Sequence, residues 1–140
     1  MKIMLIGSMT FSKEMEAAKK TLEANGHSVQ VPCDTDLLIE DPKLIDDLEK
    51  NKQHCIENNI LKTCFDQVAK SDAVLVMNYP KNGIDGYVGT CTFMDLGVAH
   101  FLGKQVYLLY PTPDQHEHRW AHEVEILQPI ILDGNLSNLK

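Results

Sequence analysis

Asp95 stands four residues into a helix that opens at about Thr90, just after a glycine-rich loop, and is the first candidate for chemistry in this chain. A carboxylate so placed can attack an anomeric carbon and form a covalent glycosyl intermediate, which water or a second base then resolves. The helix N-terminus favours its charge, so the side chain is expected to be ionised. The competing reading is an aspartate that merely caps the first turn or pairs with a neighbouring cation. Gly89-Thr90-Cys91-Thr92 brings backbone N–H groups and hydroxyls to the same helix start. That is a seat for a phosphate or for sugar hydroxyls, or an ordinary cap made by Thr90 or Thr92. Asn78, at the end of an apolar strand, is expected to hydrogen-bond a sugar hydroxyl or Asp95, unless it only ties down the loop that follows. Gly7, Ser8 and Met9 follow the first strand, where a glycine lets a ligand approach the backbone closely or simply makes a turn.

Other reactive residues carry weaker signals. Asp85 has the setting of a solvated turn residue. Cys91 lies where a helix dipole lowers a thiol pKa, but no histidine has a sequence-given reason to be its partner. His118 and His122 are four apart and could share an ion. Their third ligand is not fixed by spacing, so a solvated polar helix with Trp120 turned inward is the simpler reading. Asp34, Asp36, Glu40 and Asp41 read as an acidic surface loop. No motif demands a cofactor.

The elements that must position these residues follow from hydrophobic periodicity. Lys2 to Ile6 reads as a strand, and Ser12 to Asn25 as a helix with Met15, Ala18 and Leu22 on one face. Val29 and Val31 mark a half-buried strand. Cys33 to Asp41 reads as irregular. Pro42 to Lys70 reads as one long helix or as two, with the weak point near Asn51 to His54. Ala73 to Met77 and Gln105 to Tyr110 are apolar strands that bracket the Thr90 helix. A helix carrying Trp120, Val124 and Leu127 precedes a last strand, Ile130 to Leu132. Alternating strands and helices imply an α/β three-layer sandwich, with a parallel sheet covered on both faces. The expected architecture is a single flavodoxin-like or Rossmann-like domain over 1–140, with five parallel strands in the order 2-1-3-4-5. The switch point then falls between strands 1 and 3, beside Gly7-Ser8-Met9 and Asn78.

Composition narrows the function classes. A hydrophobic share of 44% supports a core, and a net charge of -7 without a basic run argues against binding a nucleic-acid polymer. No apolar run approaches the roughly 20 residues of a membrane span. The start MKIMLIGSMTF is too short and strand-like for a signal peptide. A cytoplasmic location is therefore expected, with the four cysteines as reduced thiols.

Three segments together resemble the nucleoside 2-deoxyribosyltransferase-like superfamily, which includes nucleoside deoxyribosyltransferases and deoxynucleotide N-glycoside hydrolases. They are the first strand with Gly7-Ser8-Met9, the strand from Ser71-Asp72-Ala73 to Asn78, and Thr92-Phe93-Met94-Asp95-Leu96-Gly97-Val98-Ala99 followed by Leu102-Gly103-Lys104. The family typically shows Gly-Thr-x-x-Glu-x-Gly-x-Ala and then Gly-Lys at the last of these. The glutamate there is the nucleophile, and Asp95 occupies its place with one methylene fewer. The strand ending at Asn78 often ends in aspartate in the family. The resemblance implies an N-glycosidic hydrolase or deoxyribosyl transferase acting on a small-molecule nucleoside or nucleotide. Asp95 and Asn78 would be catalytic. Gly7, Ser8, Met9, Gly89, Thr90, Cys91 and Thr92 would bind the substrate. It also implies a homodimer or higher homo-oligomer. A catalytically inactive nucleotide-binding module of the same fold is the alternative.

Overall fold

The first strand, β1 (Lys2–Ile6), buries four residues in a row, Ile3 to Ile6, and β3 (Ala73–Val76) buries all of its own. Unbroken apolar runs of this kind suit parallel strands covered on both faces, because neither set of alternate side chains meets water. β2 (Ser28–Gln30) and β4 (Gln105–Leu108) flank them, and β5 (Ile130–Ile131) forms one edge. The order is β2-β1-β3-β4-β5 with every pairing parallel, as the alternating elements predict. The computed structural model describes all residues from Met1 to Lys140.

The α-helices are α1 (Ser12–Ala24), α2 (Thr35–Glu40), α3 (Leu48–Glu57), α4 (Ile60–Ala69), α5 (Thr90–Phe101) and α6 (Arg119–Ile126). Alternate strand residues divide the core into two layers. Ile3, Leu5, Leu75 and Tyr107 pack with Met15, Ala18 and Leu22 of α1. Met4, Ile6, Val74 and Leu108 pack with Val68 of α4, Leu96 and Ala99 of α5, and Val124 of α6. Ile6 pairs with Val76, and Val76 with Leu108, so the central strands finish level. Gly7, Asn78 and Tyr110 therefore leave the sheet at one rim. No helix is long and apolar enough to cross a membrane.

The segment between β2 and β3 departs from its sequence reading in two places. Cys33 to Asp41 is not an irregular acidic loop, since Thr35–Glu40 is helical and Asp34, Thr35 and Leu38 are buried. The Thr35 hydroxyl donates to the Pro32 carbonyl at 2.6 Å and anchors the start. The long helical stretch begins with a separate turn, Pro42–Ile45, and its α-helical part breaks at Asn58-Asn59, not near Asn51 to His54. Asn59 takes φ 52°, a left-handed conformation that asparagine tolerates. The Asn58 side-chain amide donates to the His54 carbonyl at 2.9 Å and closes α3. The segment arches across the sheet's end: α2 touches α1, the Pro42–Ile45 turn touches the Met9–Phe11 turn after β1, and α3 touches α4.

One glycine is fixed by a close approach. Gly86 has φ 69°, and a Cβ there would lie 2.1 Å from the Pro111 carbonyl oxygen. The loop after β3 cannot then keep its path against the chain leaving β4. Gly86→Ala is expected to destabilise by about 3 kcal/mol. The check is a lower urea midpoint at unchanged slope, and a midpoint equal to wild type would contradict this packing.

Candidate active site

Helix α5 sets the candidate nucleophile. Its start at Gly89 has no side-chain cap, so neither Thr90 nor Thr92 fills the role that their types suggest. Thr92, Asp95, Leu96 and Ala99 form its buried stripe at i, i+3, i+4 and i+7. Asp95 thus sits on the face that elsewhere carries apolar packing, only 8% exposed, and its Oδ1 is buried with no hydrogen-bond partner. Burial pushes its carboxyl up from the ordinary 3.8 to about 7. This corrects the expectation that the helix N-terminus keeps Asp95 fully ionised. A dipole contribution is worth up to about 2 kcal/mol, and desolvation of a carboxylate without a paired cation outweighs it. At neutral pH the group divides between acid and base forms, which suits proton transfer as well as attack.

Sulfur and a histidine–carboxylate pair collect beside it. Cys91, one turn before Asp95, is exposed as a residue, yet its thiol is pushed up to about 11 by desolvation and then by the Asp95 charge. The activated thiol that a helix start would favour is therefore not formed. Cys64 of α4 is raised strongly, first by burial and then by Cys33. Its Sγ lies 3.9 Å from that of Cys33. Cys55 of α3 is raised by burial and by Asp34. Asp34 is no surface residue: its Oδ2 lies 3.4 Å from His54 Nε2, and both side chains are largely buried. That contact is long and poorly aligned and leaves Nε2 without a true hydrogen bond. The other ring nitrogen, Nδ1, meets the Asn58 amide at 3.2 Å.

The opposite side of the rim is built by β1 and the loop after β3. Gly7 has φ 150°, and a Cβ on it would come within 3.1 Å of the Met77 carbonyl oxygen and 3.3 Å of Met15 Cε. The close approach at Gly7 is thus made by the protein itself. Ser8 Oγ accepts from Lys81 Nζ at 2.8 Å, and Met9 begins the short turn that leads into α1. Lys81 also lies 5.7 Å from the centre of the Tyr87 ring. Aromatic rings form two groups, one against each layer of the core. Phe11, Tyr79 and Tyr110 follow one another at 5.1 and 5.8 Å, while Tyr87 and Phe93 both meet Trp120, at 6.2 and 6.1 Å.

Asn78 is fully buried and makes no hydrogen bond to Asp95. Its Nδ2 donates to the Tyr110 carbonyl at 2.7 Å and its Oδ1 accepts from the Tyr110 N–H at 2.9 Å. It bridges the exits of β3 and β4. Asp85 is an exposed residue in the turn that follows the Lys81–Ile84 bridge, as its setting suggested. His118 lies tilted against Trp120 at 5.9 Å, and His122 Nδ1 meets Gln115 Oε1 at 2.7 Å. These histidines do not converge, and no three His, Cys, Asp or Glu side chains group to hold a metal ion.

Sequence reasoning missed Lys81, the aromatic groups and the His54–Asp34 pair. Lys81 carried a usable signal, being the only Lys or Arg between Lys70 and Lys104. The His54–Asp34 pair joins residues on separate helices and had none.

No family model matches the chain, and no curated protein does. Its structure matches that of the CMP N-glycosidase BcmB of Clostridium botulinum with a TM-score of 0.51 and 17% identity, over 99% of this chain and 94% of that one. At that identity the likeness is one of fold alone.

Proposed function

We propose that this protein breaks the N-glycosidic bond of a nucleoside or nucleotide, with Asp95 as the nucleophile. The observation that carries the reading is a buried carboxylate with an unpartnered oxygen on the core-facing stripe of a helix at the sheet's carboxyl rim. Such a group costs stability, and functional sites are where that cost is tolerated. Ionised Asp95 attacks the anomeric carbon, and the base departs with the bond's electron pair and takes up a proton. Water then hydrolyses the glycosyl ester, or a second base accepts the sugar. The uncapped start of α5, Gly89 to Thr92, offers N–H groups to sugar hydroxyls or a phosphate. The fold shared with a CMP N-glycosidase supports a substrate of this class.

The test is release of free base, read by chromatography, from nucleosides, their 5′-monophosphates and NAD, with and without an acceptor base. Release by wild type supports the reading, and the acceptor decides between hydrolysis and transfer. The second reading, a nucleotide-binding module without chemistry, is favoured by the short reach of Asp95 and by its partial protonation at neutral pH. It predicts a ligand-dependent rise in melting temperature with no base released.

Lys81 is the cation of the rim and has no carboxylate partner, its Nζ meeting the Ser8 hydroxyl and the Tyr87 ring. As the group that meets a 5′-phosphate, it predicts a specific kinetic signature. Lys81→Met is expected to raise KM for a monophosphate about 10- to 100-fold, with little change for the nucleoside. Equal effects on both substrates would remove Lys81 from phosphate recognition.

Met94, Gly97 and Phe101 line the outer face of α5 at i, i+3 and i+7, with Phe101 87% exposed. We take this stripe, with Leu61 on neighbouring α4, as the contact of a homodimer. Phe101→Glu is then expected to halve the mass measured by light scattering, and a wild type already monomeric would refute the contact.

A further inference from the structure

We propose that Cys33 and Cys64 form a reversible intramolecular disulfide, with a low-molecular-weight disulfide as the oxidant. The proposal does not rest on the reading of Asp95. The two sulfurs are 3.9 Å apart although the residues are separated by 31 positions, so the fold itself brings them together. Cys33 lies between β2 and α2 on the arch, and Cys64 on α4 beneath it. A disulfide needs its sulfurs at about 2.05 Å, a closure within reach of side-chain rotation and a small shift of the arch. No third ligand joins the pair, so a shared metal ion is not the reason for their proximity.

Their unequal exposure assigns the roles. Cys33 is exposed and meets the reagent, while Cys64 is half-buried and resolves. The Cys33 thiolate attacks one sulfur of the small disulfide, forming a mixed disulfide and expelling one thiol. Cys64 loses its proton and attacks the Cys33 sulfur, expelling the second thiol. Two protein thiols become one disulfide, and the two electrons and two protons leave as two reduced small thiols. Burial holds both protein thiols protonated, with Asp34 adding to the effect on Cys33 and Asp95 to that on Cys64. The exchange is therefore slow at neutral pH and is best driven in mild alkali.

The product ties the arch to α4 and closes a long loop, which restricts the unfolded chain. The experiment incubates the full chain with oxidised glutathione at about pH 8.5, quenches with acid, and reads intact mass, tryptic peptides and melting temperature. The four cysteines fall on four different tryptic peptides, so the linkage is unambiguous. The expected result is a loss of about 2 Da, a Cys33–Cys64 linked peptide and a melting temperature higher by roughly 5 to 10 °C, all reversed by dithiothreitol. Cys33→Ser abolishes the linked peptide and Cys91→Ser leaves it. Glutathione adducts alone, or a link that joins any other pair, would overturn the proposal.

Discussion

Asp95→Asn is expected to yield a protein that is more stable than wild type above neutral pH and has lost base release. The two effects share one cause. Asparagine keeps the shape of the side chain but cannot carry the charge that burial opposes. In wild type the folded carboxyl holds its proton up to about pH 7, while its ordinary value is 3.8. Below about pH 4 the folded and unfolded chains are both protonated there, and the group has no pH-linked effect. Between about 4 and 7 the folded state binds the extra proton, so stability falls as pH rises. Above 7 the penalty is complete, of the order of 4 kcal/mol. The gain in the Asn variant therefore grows from near zero at about pH 4 to its maximum above 7, and urea unfolding at several pH values reads it. Turnover moves the other way. Loss of the nucleophile is expected to lower base release at least about 1000-fold. With Asp95 as the nucleophile, the wild-type rate is expected to rise with pH to about 7 and then level, because only an ionised carboxylate attacks. Undiminished turnover by Asp95→Asn would remove Asp95 as nucleophile, and equal stability at pH 5 and pH 8 would deny its burial.

Asn78→Asp, which restores the residue often found at that strand end in the family it resembles, is expected to be strongly destabilising. The Asn78 amide donates to one carbonyl and accepts from one N–H of the same residue, Tyr110. An ionised carboxylate can only accept, so one of its oxygens would face the Tyr110 carbonyl with no proton between them. The site is fully buried, and water does not relieve the repulsion. We expect a loss of about 3 kcal/mol at neutral pH, smaller in acid as the new carboxyl takes a proton and becomes a donor. Unchanged stability at pH 7 would show that the bridge between the two strand exits is dispensable. The departure from the family's residue thus has a local reason: here the position serves a backbone that needs both a donor and an acceptor.

Much of the fold was legible because its central strands are written as unbroken apolar runs. Ala73–Val76 and the strand after Gly103 leave few arrangements once helices alternate with them. Helix α2 was not legible. It is six residues long and acidic, and it holds through Thr35 and Leu38 meeting the rest of the chain. The break before α4 was obscured because Leu48 and Ile56 keep a helical spacing while lying exposed, so their period does not report burial. At the site, the position of Asp95 could be read from its spacing but its protonation could not, since desolvation depends on neighbours far away in sequence. The partner of Asn78 is 32 residues off. The gathering of Cys33, Cys55, Cys64 and Cys91 left no CxxC trace, because each comes from a different part of the chain.

The strand order also sets a timetable for folding. β1 is made first, yet one of its two sheet neighbours is β3, and Ile3 must wait for Ala73. Until then the amino-terminal β1–α1–β2 unit has one face of its sheet uncovered, with Met4 and Ile6 lacking the helices that later bury them. Pairings of such long sequence separation form slowly, since the chain must be closed before any contact offsets the lost freedom. The nascent chain therefore exposes this apolar edge until β3 has been made, and both sides of the candidate rim come into being only when the third strand docks.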